Sequence, residues 1–159
     1  MAKIKISTVV DSSNEPCDLY ACDSLIDCPA LPLFLQTYAE IISKQWSNPT
    51  LSWSNKSRMI WAEKNGTVVG GICWDWLVEY RMAWIVLSFT DPAQRGRGIN
   101  SIVHSVFEVE ARKLGAVRIS SLVHVDNISR QFRRSQDTLP RTRAVAGKAG
   151  CFRNRGHLR

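Results

Sequence analysis

The hexapeptide Arg95-Gly96-Arg97-Gly98-Ile99-Asn100 carries the residue types and spacing best suited to chemistry in this chain. Its glycines let the backbone turn tightly, and Ser101 follows where an apolar helical pattern is already under way. The first N–H groups of a helix have no acceptor inside it, so they face outward together. With the helix dipole behind them and the charge of Arg95 and Arg97 added, such a turn attracts phosphate. No Gly-Lys-Ser/Thr follows, which excludes a Walker loop, and the spacing is not Gly-x-Gly-x-x-Gly.

Two elements must position that turn. Ala83 to Thr90 is a run of apolar and β-branched residues, which predicts a strand buried on both faces. Asp91-Pro92 ends it, because proline cannot donate to a ladder and restricts the residue before it. After the turn, Ile99, Ile102, Val103, Val106, Phe107 and Leu114 recur at three- and four-residue spacing and give a helix one apolar face. Arg112 and Lys113 favour its negative end, and Gly115 suits the position just past it.

This stretch resembles the core motif of the GNAT superfamily of acyl-CoA-dependent N-acyltransferases. That family carries Gln/Arg-x-x-Gly-x-Gly/Ala after a strand, usually with a proline three residues earlier. Pro92 and Arg95 to Asn100 match at every position but the last, where Asn100 stands for Gly or Ala. The resemblance implies that the amides of Arg95, Gly96, Arg97, Gly98, Ile99, Asn100 and Ser101 hold the pyrophosphate of acetyl-CoA. It also implies that the backbone of Ser88, Phe89 and Thr90 pairs with the pantetheine arm. Upstream, Met59 to Cys73 looks like two of the family's strands joined at Asn65-Gly66, itself a strong hairpin signal. Downstream, Val117 to His124 looks like the next strand, with Asp126-Asn127 opening the following helix and Asn127 at the cofactor. The likeness runs over about residues 57–130, and it implies a mixed central sheet flanked by helices, splayed between 83–90 and 117–124.

Length and composition agree with a single domain, and the resemblance implies the α/β class for it. The 159 residues allow an adequate core, and no apolar run approaches a membrane span. Five irregularly spaced cysteines suggest reduced thiols in a cytoplasmic protein. Cys17, Cys22 and Cys28 lack the Cys-x-x-Cys spacing and a nearby histidine, so no metal is expected. Residues 3–10 suit a first strand, and Pro32 to Gln45 a helix. The acidic stretch Asp11 to Cys28 reads as a solvated loop, or else as a wall of the acceptor pocket drawing a cationic amine. In the strand after Gly66, Val68, Ile72, Trp74, Trp76 and Val78 fall on one face and Val69, Cys73 and Leu77 on the other. Asp75 between them reads as a hydrogen-bonded core acid.

The end of the chain differs. From Arg130 to Arg159 there are nine Lys or Arg against one acid, Asp137, while the other 129 residues carry twelve bases and thirteen acids. The chain therefore divides into a near-neutral domain, 1–130, and a basic, atypical tail, 131–159, to which any weak nucleic-acid binding would belong. The family's next helix follows Asn-x-x-Ala-x-x-x-Tyr, whose tyrosine often protonates the departing thiolate. Arg130 and Arg134 occupy the Ala and Tyr positions here, and Thr138-Leu139 stands where Gly-Phe belongs. No strand alternation is visible from residue 135 to 159, where two closing strands are expected. The tail is either divergent or read in a frame that shifts near Arg130. The missing strands would leave an apolar edge for a homodimer to cover.

The implied function is transfer of an acetyl group from acetyl-CoA to an amine of a small molecule or protein. The alternatives are a non-catalytic acyl-CoA-binding or regulatory module and a nucleic-acid binder acting through the tail. For the base that takes the amine's proton, Glu79 and His124 are the available candidates beside a water relay, and Ser88 would assist through a bound water.

Overall fold

The computed structural model describes residues 3–26, 28–43, 53–124 and 151–157, with the backbone alone for 42–43, 122–124 and 151–157. Seven strands form one sheet in chain order: β1 (Ile4–Val10), β2 (Pro16–Cys22), β3 (Arg58–Lys64), β4 (Thr67–Leu77), β5 (Met82–Thr90), β6 (Arg118–His124) and β7 (Cys151–His157). Neighbours run antiparallel except β5 and β6, which are parallel and joined across the sheet by helix α2 (Ile99–Lys113). Helix α1 (Leu31–Ser43) packs on the opposite face. The expected mixed α/β sheet flanked by helices is thus present.

Two apolar layers hold the sheet. On the α2 face, Ile99, Val103, Phe107 and Ala111 meet Leu19, Ile60, Ile72, Trp74 and Ile85. On the α1 face, Phe34 meets Met59, Trp61, Cys73, Leu87 and Phe89. Of the α2 residues anticipated in the sequence, Ile99, Val103 and Phe107 are buried and Ile102 and Val106 are half-buried, whereas Leu114 is exposed and Ala111 takes the last buried position. Past Lys113 the helix closes with Ala116 N–H on Ala111 O (3.0 Å) and Gly115 N–H on Arg112 O (2.8 Å), and Gly115 has φ 88°. Only a left-handed residue permits that pair of bonds, which is why glycine stands there. At the β3–β4 turn Asn65 and Gly66 both have positive φ (49° and 77°), the twist that a two-residue hairpin demands.

Four expectations are corrected. Pro16–Cys22 is not loop but strand β2, with Cys17 and Leu19 buried on one face and Asp18 held beside Lys5 (2.8 Å) on the other. The acids masked a period-two pattern, while Asp11 to Glu15 before the strand and Asp23 to Ile26 after it are turn and loop as expected. Strict alternation fails in β4, where Ala62 pairs with Gly70 and Glu63 with Val68. Val69 is the extra residue of a bulge, so Val69 joins Ile72 and Trp74, while Val68 sits with Cys73. In the tail, Cys151–His157 pairs along the whole of β6, from Arg118↔His157 to His124↔Cys151. This strand opens directly after Gly150, and its charged residues concealed it. The apolar edge proposed for a homodimer at β6 is therefore paired. Gln45, Trp46, Asp27 and Val145 lie outside the described residues.

Candidate active site

The parting of β5 from β6 begins at one residue. Cys73 pairs with Leu87 and Trp74 with Ile85, so Val86 is an extra residue in β5. A bulge bends its strand and interrupts pairing. The parallel ladder with β6 runs from Met82↔Arg118 to Ile85↔Ser121 and stops there. Beyond it β5 continues to Thr90 and β6 to His124, no longer as partners. The bulge also turns Val86 and Leu87 together onto the α1 face. Ser88 comes out half-buried towards α2, where its Oγ lies 2.9 Å from His104 Nε2.

At the far end of β5, Asp91 caps a one-turn 3-10 helix, Pro92–Gln94, by accepting from Ala93 N–H (2.9 Å). The chain then reverses through Gly96 (φ 80°) and Gly98 (φ 78°), left-handed conformations open to glycine. Ile102 N–H is the first to bond back into α2, to Gly98 O (3.1 Å). A side chain at Gly96 would meet nothing within 4 Å, so space stands open over the turn. Asn100 keeps its Oδ1 buried with no partner there. Open space, paired αL glycines and the start of a fifteen-residue helix fit an anionic diphosphate.

The turn is braced from a direction the sequence did not announce. Ser12 N–H donates to Arg97 O (3.1 Å), and Arg97 Nη1 donates to Glu15 Oε2 (2.9 Å). The same carboxylate oxygen accepts from Lys64 Nζ (2.7 Å), which also donates to Asp11 Oδ2. Asp11 in turn accepts from the N–H groups of Ser13 (2.8 Å) and Glu15 (3.0 Å). Lys64 and Asp11 are 9% and 5% exposed, so this is a buried ion pair at the root of the β1–β2 turn. The hydrogen bond from Lys64 holds the Asp11 and Glu15 carboxyls below the ordinary carboxylate range. Burial alone would lower the Lys64 ammonium, but its bonds to Asp11 and Glu15 outweigh that and raise it. The acids Asp11 and Glu15 are thus a strut for the glycine turn.

The other anticipated residues scatter. Glu79 is exposed in the 3-10 turn Val78–Tyr80, before Met82 and so at the end of β5 that still pairs with β6. His124 ends β6 past the last β5 pair, at the open end; its side chain and Asn127 lie outside the described residues. Phe89 is buried under α1 against Phe34 (ring centroids 5.9 Å), and Thr90 stays half-buried where the turn begins. Asp75 is half-buried opposite Trp84. Cys17 faces α2 whereas Cys22 and Cys28 face α1, and among the described residues no three His, Cys, Asp or Glu side chains gather around a metal site. His104 was missed: it stands inside the apolar helix pattern, and nothing in the sequence relates it to Ser88.

The model of the acetyltransferase (GNAT) family matches residues 25–132, more than half of the chain. The chain belongs to that family. No curated protein matches it. Among solved structures, this GNAT chain is similar to the GNAT domain of S. lividans PAT at TM-score 0.69 and 12% identity over 96% of each chain. It is similar to the catalytic domain of Tetrahymena GCN5 histone acetyltransferase in complex with coenzyme A at TM-score 0.55 and 18% identity, over 76% of this chain and 75% of that one. It is also similar to the ribosomal-protein-S18-alanine N-acetyltransferase of Escherichia coli at TM-score 0.57 and 12% identity, over 80% and 79%. At these identities the likeness is one of fold; the family supplies the reaction class, acyl-CoA-dependent acyl transfer. Among the described residues, no helix of this GNAT protein is long and apolar enough to cross a membrane.

Proposed function

We propose that this GNAT acyltransferase moves an acetyl group from acetyl-CoA to an amine of a small molecule or a protein. The observation that carries the reading is the course of β5. One end leads into the αL glycine turn at the start of α2, and beyond the Val86 bulge its edge no longer pairs with β6. A phosphate-bearing ligand held at the turn has an unladdered strand edge, Thr90 to Val86, along which an extended arm can bond. That a fold relative, Tetrahymena GCN5, was solved in complex with coenzyme A supports the same use here.

Acetyl-CoA supplies an activated acyl carbon. The chain's part is to hold it, polarise it and manage protons. A backbone N–H beside the bulge serves the oxyanion without needing a side chain. The amine must first be neutral, since an ordinary lysine ammonium (pKa ~10.4) is so in only about one molecule per thousand near pH 7. We keep His124, whose backbone stands at the open end of β6, and water as the candidates for that proton; Glu79 lies about 13 Å of strand or more from the bulge. That distance favours a second reading, an acyl-CoA-binding module without turnover.

One assay separates the two: CoA release from acetyl-CoA against a panel of amines, alongside a thermal melt with millimolar acetyl-CoA. Stabilisation with release supports transfer, and stabilisation without release supports the module. No stabilisation by acetyl-CoA refutes both.

A further inference from the structure

We propose that Ser88 is the group that protonates the departing thiolate and that His104 positions and recharges it. The proposal rests on the acyl-CoA reading above and names an acid for it.

Three features of the structure meet at this pair. Ser88 is the second residue after the bulge and the third past the last β5–β6 pair, so it lines the stretch where the two strands have separated. A ligand arm running down β5 from Thr90 reaches it after about 7 Å of strand. Its hydroxyl is half-buried and lies 2.9 Å from His104 Nε2 on the neighbouring helix. The imidazole itself is fixed. It packs edge-on to Phe107 (6.2 Å, 85°), and Phe107, fully buried, packs edge-on to Trp74 (5.2 Å, 69°). A ring wedged in that aromatic stack holds one orientation towards Ser88.

The chemistry balances without another reactant. As the tetrahedral intermediate collapses, the C–S electron pair passes to sulfur and the carbonyl re-forms. The Ser88 O–H proton goes to sulfur and gives the CoA thiol. The imidazolium of His104 returns a proton from Nε2 to the Ser88 oxygen. The neutral ring is then recharged, through solvent, by the proton that the amine nitrogen sheds. The sum is thioester and amine giving amide and thiol. Ser88 touches the reacting sulfur and is the catalytic residue of this step; His104 acts through it.

The test compares CoA with desulfo-CoA, which keeps every phosphate and the arm but lacks the sulfur, using ring-15N-histidine NMR at fixed pH. Both ligands should bind with affinities within a few-fold of each other, and only CoA should move the His104 ring signals. Ser88→Ala should retain CoA affinity and erase that movement. Equal movement by both ligands, or movement surviving in Ser88→Ala, overturns the proposal while leaving the acyl-CoA reading intact. If neither ligand binds, both fall. With any amine that turns over, His104→Gln should lower kcat about 100-fold at unchanged KM, in the range of general acid contributions. An unchanged kcat would also overturn it.

Discussion

Arg97 Nη1 and Glu15 Oε2 lie 2.9 Å apart, although the two residues are separated by 82 positions in the chain. Through this bond the glycine turn is tied to the β1–β2 turn, and through Lys64 to the end of β3. One of the two guanidinium groups of the glycine turn is thus already engaged with an acid of the same protein.

That engagement has a measurable consequence. Glu15 is exposed, so solvent screens its bond to Arg97 and the bond holds little energy. Glu15→Gln should free the guanidinium and remove a negative charge beside the site. Acetyl-CoA affinity is expected to rise roughly two- to fivefold at low salt, with the gain shrinking as ionic strength increases. Isothermal titration at two salt concentrations measures it; weaker binding in the variant would show that the strut matters more than the charge.

Gly98 should be the more severe position. With φ 78° it resists any side chain, and roughly 1–2 kcal/mol of strain is expected for Gly98→Ala. Gly98→Asp adds charge repulsion at the phosphate. Its acetyl-CoA affinity should fall about tenfold further than that of Gly98→Ala, a difference of ~1.4 kcal/mol. Equal affinities in the two variants would place the phosphates elsewhere.

Gly70 and Gly71 admit neighbours that a methyl group would strike. A Cβ at Gly71 would lie 2.6 Å from the Phe89 ring and 2.8 Å from Ile60 O, and one at Gly70 3.0 Å from Ile99 Cγ2. Each alanine variant should lose about 1–3 kcal/mol, as overpacked cores do. Gly70→Ala should also weaken acetyl-CoA binding, since it pushes on Ile99, the first residue of α2. Denaturant melts and a binding titration check both, and a Gly70→Ala chain as stable as wild type would contradict the packing described.

The buried pair predicts an acid limb. Asp11 and Glu15 titrate below their ordinary range because Lys64 bonds to them. A lowered carboxylate contributes stability that is fully present above its unfolded value, about 4, and that disappears as pH falls through the folded one. Lys64 is raised, so its share is present below about 10.4 and is lost as pH rises through its folded value. Urea midpoints should therefore be level across neutral pH and drop below about pH 4. Asp11→Asn, which keeps an oxygen for Ser13 and Glu15, should show a shallower drop and approach wild type at pH 3. A parallel drop in both proteins would assign the limb to other carboxylates.

What could be read in the sequence was what local pattern encodes. The β5 run, its terminating Asp91-Pro92, the glycines and the period of α2 are each decided within a few residues, and all appear at the expected places. β2 was hidden because Asp18 and its acidic neighbours imitate a solvated loop when the partner, Lys5, is unseen. The bulges at Val69 and Val86 leave no trace in an alternation, being one residue too many for it. The Ser88–His104 and Glu15–Arg97 contacts depend on how strands and helix are stacked, which no spacing along the chain states. β7 escaped for a third reason. Arg153, Asn154 and Arg155 give it no apolar period, so only its register against β6 reveals it.

The short β5–β6 ladder also has a mechanical meaning. Five antiparallel strands form one plate and β6 with β7 forms a ribbon, and the two are stitched by four residue pairs, Met82 to Ile85. Load applied across the sheet concentrates on that seam, as on the uncut end of a torn page. Beside it, Arg81 O accepts from Val117 N–H (2.9 Å) and Arg81 Nε donates to Gly115 O (3.2 Å), a rivet at the tip of the tear. A ligand lying along Val86 to Thr90 would extend the stitching from the other end, so the molecule should stiffen when it is loaded and become compliant when it is empty.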